Sequence, residues 1–299
     1  VLRCARLFLS GFVLMLLSDF FATDRLCLVS GHTAAYSSRN FYGVTKVIED
    51  AEMITLVHGH TVHGLQLKDA SMRYLPTTYY VPSSGVGRAM LHMQDVRKGS
   101  LRVGVLGLGT GSLAAYCRAG DEFVFYEIDP RVTRLATSYF SYLESCDGAQ
   151  VRHGDGRILL TNELRADESG DYDVIVADAF ADDSVPAHLM TVEALDLYAS
   201  HLKADGIIAF NVSNRYLTLS PVVLKLAAAR GFNAMVVYSS GDDTAGGSTS
   251  EWVLLTRSMD AFRQSVFSNA NSGHAKPEVP LWTDDYTSIL EIIRLPTGP

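Results

Sequence analysis

Residues Leu101-Arg-Val-Gly-Val-Leu-Gly-Leu-Gly-Thr-Gly-Ser112 decide how the chain folds. The first six form a short, nearly continuous apolar run, the pattern of a strand covered on both faces of a parallel sheet. Gly107, Gly109 and Gly111 follow at once, and Leu113-Ala-Ala-Tyr116 reads as the start of an Ala-rich helix. Strand, glycine-rich turn and helix in that order let the backbone approach a ligand closely, with a helix N-terminus facing it.

Working outward, the texture stays the same downstream. Glu122-Phe-Val-Phe-Tyr126 reads as the next strand, and Pro130 opens a helix. Val151, Tyr172–Ala177, Gly206–Val212, Ala234–Tyr238 and Trp252–Leu255 mark further strands, mostly separated by helical stretches. This alternation predicts a doubly wound α/β sheet. Upstream the pattern is different. Phe41–Ile48, Met53–Val57 and Thr61–Leu67 alternate and carry strand formers, with turn signals at Glu49-Asp50 and Gly59-His60, and so predict a small antiparallel module. Pro76, Pro82, Ser83 and Ser84 break the pattern before a helix from about Gly87 to Val96. Gly241–Ser250 and Asn269–Pro280 are the least regular stretches. The expected division is an apolar N-terminal segment over 1–38, a β module over 39–82, and a nucleoside-binding α/β domain over 83–299.

The chain has 299 residues and a net charge of −8, from 25 Lys+Arg against 33 Asp+Glu. Its 47% apolar content is that of an ordinary globular protein and excludes a disordered or fibrous chain. The acidic balance argues against a nucleic-acid partner and suits a cationic small substrate. Cys4, Cys27, Cys117 and Cys146 are widely spaced with no CxxC pair, which predicts reduced thiols in an intracellular protein. At the start, Arg3 and Arg6 precede the apolar run Leu7–Leu17. Such a run is too short for a bilayer span of ~20 residues. It reads either as a buried or membrane-surface helix or as the tail of a membrane-embedded region of a longer chain.

Three carboxylates stand where a nucleoside pocket needs them. Glu127 ends the second strand, twenty residues after Gly107, where it can accept both ribose hydroxyls. Asp155, in His153-Gly-Asp-Gly156, follows the third strand, within reach of an adenine amine. A dinucleotide fingerprint wants glycine at 112, where the chain has Ser112. The G-x-G-x-G spacing matches instead the sheets that bind S-adenosylmethionine, which carries no pyrophosphate. Asp178 ends the fourth strand and lies in the crevice, placed to take a proton from an attacking amine. Asp182 and Asp183 extend an acidic rim for a polyamine cation, or else cap a following helix. His58, His60 and His63 lack a further ligand at clear spacing, so no metal is expected. Arg215, in Ser213-Asn-Arg-Tyr216, either pairs with a carboxylate or touches ligand.

With these residues in place, the chain resembles the spermidine synthase family, the polyamine aminopropyltransferases. It looks closest to the bacterial branch fused to a membrane-embedded region. The resemblance runs from about Arg39 to Leu290. It rests on Arg39-Asn-Phe-Tyr-Gly-Val44, Leu56-Val-His-Gly-His-Thr-Val-His-Gly-Leu-Gln66, Pro76-Thr-Thr-Tyr-Tyr80 with Ser84-Gly-Val-Gly87, the glycine-rich turn, Phe125-Tyr-Glu-Ile-Asp-Pro130, Asp178-Ala-Phe180, Ser213–Tyr216 and Trp282-Thr-Asp-Asp-Tyr286.

The resemblance implies a small β module before a methyltransferase-like (Rossmann-type) seven-stranded sheet, forming a homodimer. It implies transfer of an aminopropyl group from decarboxylated S-adenosylmethionine to putrescine or a related amine, releasing 5′-methylthioadenosine. Glu127, with Asp129 beside it, would hold the ribose, and Asp155 with Gly156 would meet the adenine. Asp178 would orient and deprotonate the nitrogen, while Gln66 and Tyr79 or Tyr80 would close the pocket. Beside the resemblance, the acidic rim at Asp182 and Asp183 is a candidate to bind the amine, and Asp284 and Asp285 are candidates to replace acids that the family carries and this chain lacks. The expected setting is the cytoplasm, at the inner face of the bacterial membrane. The chain also departs from the family. Thr110 stands where an aspartate commonly binds the free amine of the aminopropyl group, and Ala179-Phe-Ala181 replaces a Ser-Ser/Thr-Asp run. Intact S-adenosylmethionine with methyl transfer therefore stays open, as does a non-enzymatic polyamine- or nucleoside-sensing module.

Overall fold

The computed structural model describes residues 34–179, 185–241, 246–258, 260–267, 271–272 and 279–294. The expected N-terminal apolar run, Asp182 and Asp183 lie outside the described residues. Four antiparallel strands come first: β1 (Ala34–Asn40), β2 (Gly43–Glu49), β3 (Met53–His58) and β4 (Thr61–Leu67), in spatial order β1-β2-β3-β4. Helix α1 (Gly85–Val96) follows, with the Ser84 hydroxyl accepting from the Gly87 amide as its N-cap.

The main sheet then runs through β5 (Arg102–Leu106), β6 (Glu122–Glu127), β7 (Ala149–His153), β8 (Tyr172–Ala177), β9 (Leu202–Asn211), β10 (Asn233–Ser239) and β11 (Ser250–Thr256). Interleaved with these strands are α2 (Pro130–Tyr139), α3 (Gly156–Arg165), α4 (Val192–Ser200) and α5 (Ser220–Arg230). The order is β10-β11-β9-β8-β5-β6-β7, parallel from β7 across to β9, with β11 antiparallel to both its neighbours. A two-residue strand, β12 (Asn271–Ser272), pairs with the β10 edge. This is the doubly wound sheet that the alternation predicts, with the seven strands that the resemblance implies and that short strand added.

Central strands read as unbroken apolar runs because both faces are covered. In β8, Val174 and Val176 join one buried cluster with Ala89, Met90 and Met93 of α1, whereas Ile175 joins another with Leu195 and Tyr198 of α4. Val47 and Leu56 of the small sheet belong to the first cluster, so the β module packs onto the same core. Each such Val, Leu, Ile or Met side chain removed from water contributes about 1.5–3 kcal/mol.

The chain winds outward from β5 in both directions, through β6 and β7 on one side and β8 and β9 on the other. The carboxyl ends of β5 and β8 therefore flank the topological switch point, where open α/β sheets hold their ligands. Gly107 leaves β5 there at φ +99, and a Cβ on it would lie 2.4 Å from the Asp178 carbonyl oxygen. Only glycine meets both demands.

Three expectations are corrected. Cys117 and Cys146 are not free thiols: they form a disulfide, with Cα atoms 5.5 Å apart. The expected Ala-rich helix after the glycine turn is a single 3₁₀ turn, Ser112–Tyr116. The chain must reach the disulfide at Cys117 and re-enter the sheet at Glu122, which leaves no room for an α-helix. A further strand, β1, begins at Ala34, inside the segment that the sequence reading set apart.

Candidate active site

Two cavities open at the carboxyl edge of the sheet. The first, of about 220 Å³, runs from Gly107 and Gly109 past Glu127 and Asp129 to Asp155 and Gly156. The second, of about 470 Å³, lies beneath the β3–β4 hairpin and is bounded by Asn211, Arg215 and Glu251. His63, Tyr79 and Asp178 line both. A group leaving one cavity for the other passes these three side chains.

Asp178 is held from two sides. Asn211 at the end of β9 donates to its Oδ1 at 2.8 Å, and the Tyr80 hydroxyl donates to its Oδ2. Burial pushes its carboxyl up to about 7, against the opposing effect of both hydrogen bonds. Burial and the Asp178 charge also hold the Tyr80 and Tyr79 phenols well above their ordinary value, so both stay protonated. The rings of Tyr79 and Tyr80 sit 4.5 Å apart.

Glu127 is buried, with Oε2 accepting from the Leu108 amide at 3.0 Å and Oε1 from the Asp129 amide at 2.8 Å. Each oxygen keeps a lone pair for a diol. Burial raises this carboxyl to about 7, the hydrogen bonds working against it. Asp129 caps α2 through the Arg131 amide and accepts from Asn40 Nδ2 at 2.8 Å. Burial alone would raise it, but the bonds from Arg131 and Asn40 outweigh burial and keep it below its ordinary value. Asp155 caps α3 through the Ile158 amide and faces His188 Nε2 at 3.0 Å. Ile128, half exposed at the wall of the first cavity, offers an apolar face to a flat ring.

The structure brings Gly107, Gly109, Glu127, Asp129, Asp155, Gly156, Asp178, Tyr79 and Tyr80 to one cavity wall. It does not bring the others there. Gly111 sits behind the turn at φ +82, where a Cβ would meet Leu143. Gln66 is buried, its amide donating to Ser141 Oγ and the Arg73 carbonyl and accepting from the Ser141 amide. Asp285 is exposed and lines neither cavity; its neighbour Asp284 is committed to Arg157 at 2.6 and 2.7 Å. Thr110 is also buried, bonded to Ser112 Oγ at 2.6 Å, and lines neither cavity. Sequence reasoning missed Asn211 and His188. A polar residue closing the apolar run of β9 was the available signal for Asn211, whereas His188 offered none.

His58 Nε2 lies 2.6 Å from the Tyr42 carbonyl oxygen, and its ring is 5.6 Å from that of His63. Among the described residues no helix is long and apolar enough to cross a membrane.

This architecture, a small antiparallel sheet ahead of a doubly wound, mostly parallel sheet, matches the fold of solved spermidine synthases. It matches a probable spermidine synthase from Corynebacterium glutamicum at a TM-score of 0.57 and 16% identity, covering 75% of this chain and 80% of that one. It matches a spermidine synthase solved with the transition state analogue AdoDATO at 0.50 and 15% identity, covering 77% and 74%. In sequence the chain resembles the polyamine aminopropyltransferases. It is 34% identical to that of Vibrio vulnificus over 116 residues, 37% of this chain, and 26% identical to a probable one of Bifidobacterium longum over 182 residues, 60% of this chain. Each match spans 37% of the relative's own length. No family model matches.

Proposed function

We propose that the chain is an aminopropyltransferase of the spermidine synthase type. It would move the aminopropyl group of decarboxylated S-adenosylmethionine to putrescine or a related amine and release 5′-methylthioadenosine. The observation that carries this reading is Asp178, a half-buried carboxylate at the junction of a nucleoside-sized cavity and a second, polar one. Similarity to polyamine aminopropyltransferases and to the fold of a spermidine synthase solved with the transition state analogue AdoDATO supports it.

The first cavity suits the nucleoside. Glu127 presents two oriented oxygens to the ribose, Ile128 covers one ring face, and Asp155 waits at the far end. The sulfonium makes its neighbouring methylene electrophilic, so the protein's work is to align an uncharged amine with that carbon. Asp178, poised near neutral pH, takes the proton that the nitrogen loses. Tyr80 and Asn211 fix the carboxylate so that its remaining lone pairs face the amine. The test is mass spectrometry of products from the full chain with decarboxylated S-adenosylmethionine and a polyamine panel. Absence of methylthioadenosine with every amine would refute the reading.

A second reading rests on Thr110. With that side chain buried away from both cavities, no carboxylate at this position meets the free amine of the decarboxylated donor. Methyl transfer from intact S-adenosylmethionine follows if calorimetry shows tighter binding of the carboxylated ligand. The proposal also includes a homodimer and contact of the N-terminal segment with the inner face of a bacterial membrane, to be checked by light scattering and vesicle flotation.

A further inference from the structure

We propose, resting on the transfer reading above, that the second cavity selects an amine whose far end carries a carboxylate. The acceptor would be an amino acid such as 4-aminobutyrate rather than a diamine, and Arg215 would be the residue that reads it. The ionisable groups facing this cavity come from several elements. His60 and His63 belong to the β3–β4 hairpin and Asp178 to the end of β8; Arg215 follows β9, Glu251 lies on β11, and Arg294 follows the last 3₁₀ turn. Both oxygens of Asp178 already accept hydrogen bonds at the junction. Glu251 lies 3.6 Å from the Arg294 guanidinium. Arg215 is exposed to the cavity and has no hydrogen-bond or ion-pair partner among the described residues.

Among the described residues, the charges away from the junction are thus two guanidiniums against one carboxylate. A diamine that offers one nitrogen to Asp178 must bury its second, cationic end in this field. The one described acid available to it is Glu251, which it would have to take from Arg294 while facing Arg215. An amino acid meets the opposite situation. Its amine sits at Asp178, and its carboxylate reaches a guanidinium fork whose planar geometry matches it. Ser248, Thr249 and Asn214 on the same wall add hydroxyl and amide groups able to bond to carboxylate oxygens. Discrimination then comes from repulsion of the dication as much as from attraction of the anion.

The chemistry balances without a further reactant. The amine lone pair forms the new N–C bond, and the C–S bond breaks with its electron pair going to sulfur, which leaves as a neutral thioether. The proton passes from nitrogen to Asp178 and on to water.

The experiment offers 4-aminobutyrate and putrescine to the full chain with decarboxylated S-adenosylmethionine. In parallel, calorimetry measures binding of each acceptor with 5′-methylthioadenosine present. The expected result is preference for 4-aminobutyrate in both arms. Arg215→Gln should raise its KM and Kd about fivefold to tenfold, with kcat little changed, and shift selectivity toward putrescine. Preference for putrescine with constants indifferent to Arg215→Gln would overturn the inference, while methylthioadenosine release would leave the transfer reading standing. If no amine yields methylthioadenosine, the transfer reading falls and calorimetry still decides. Binding of 4-aminobutyrate that Arg215→Gln weakens upholds the inference; binding of putrescine in preference, or of neither, overturns it.

Discussion

The Tyr80 hydroxyl donates to the Asp178 carboxylate across 98 residues of sequence. Tyr80 lies on the segment joining the β module to the sheet, and Asp178 ends a central strand. The group assigned the proton transfer is therefore oriented from outside the sheet that carries it.

Asp178→Asn keeps the shape and both neighbours but cannot accept a proton. Turnover should fall by about 10²–10⁴-fold, the usual worth of a positioned base. Affinity for 5′-methylthioadenosine, measured by calorimetry, should be nearly unchanged. A variant that turns over normally would remove Asp178 from the mechanism.

Asp178 accepts a proton only when ionised, so kcat/KM should rise with pH through a limb near 7. The Tyr80 hydrogen bond favours the ionised form. In Tyr80→Phe the limb should move to higher pH, with the plateau reduced. A limb that stays in place would show that Tyr80 does not act on this carboxyl.

Asp178 and Glu127 are both raised to about 7, from ordinary values of 3.8 and 4.5. The folded chain therefore binds more protons than the unfolded one between about pH 4 and 7. Their contribution to stability is fully present below that window and is lost as pH rises through 7. Scanning calorimetry of the ligand-free protein should find Asp178→Asn and Glu127→Gln more stable than the parent at pH 8, by a few degrees in Tm. The gap should close toward about pH 4. A gain independent of pH would point to some cause other than a buried charge.

The Cys117–Cys146 disulfide spans 29 residues of sequence. Removing that loop-closure entropy from the unfolded chain contributes about 3.6 kcal/mol. Reduction, or Cys117→Ala with Cys146→Ala, should lower Tm by about 5–10 °C. The double variant should no longer respond to reductant; continued sensitivity would place the effect elsewhere.

Much of the sheet and half of the site were legible because parallel topology does the placing. Once β5, β6 and β8 are recognised as buried runs, the residues at their carboxyl ends must meet beside the switch point, which puts Gly107, Glu127 and Asp178 together. What could not be read depended on contacts remote in sequence. Ala114 and Ala115 favour an α-helix locally, yet the tether at Cys117 and the return to β6 overrule that preference. The edge strand β1 is polar and half exposed, Ala34-Ala-Tyr-Ser-Ser-Arg-Asn40, so it lacks the apolar alternation that marks a strand. Gln66 is expected at the pocket only because the resemblance implies it there. Its partners at Ser141 and Arg73 belong to segments that no spacing rule connects to it.

The hairpin glycine Gly64 rests against Thr110: a Cβ at 64 would lie 2.4 Å from the Thr110 hydroxyl. The side chain in the glycine-rich turn is thus chosen by the neighbouring sheet as well as by any ligand. Placing an aspartate at 110 would drive a carboxylate under the hairpin beside Ser112, where it meets protein rather than the donor. The two positions are coupled, so a route from this pocket to one with an acid in the turn has to pass through the hairpin first.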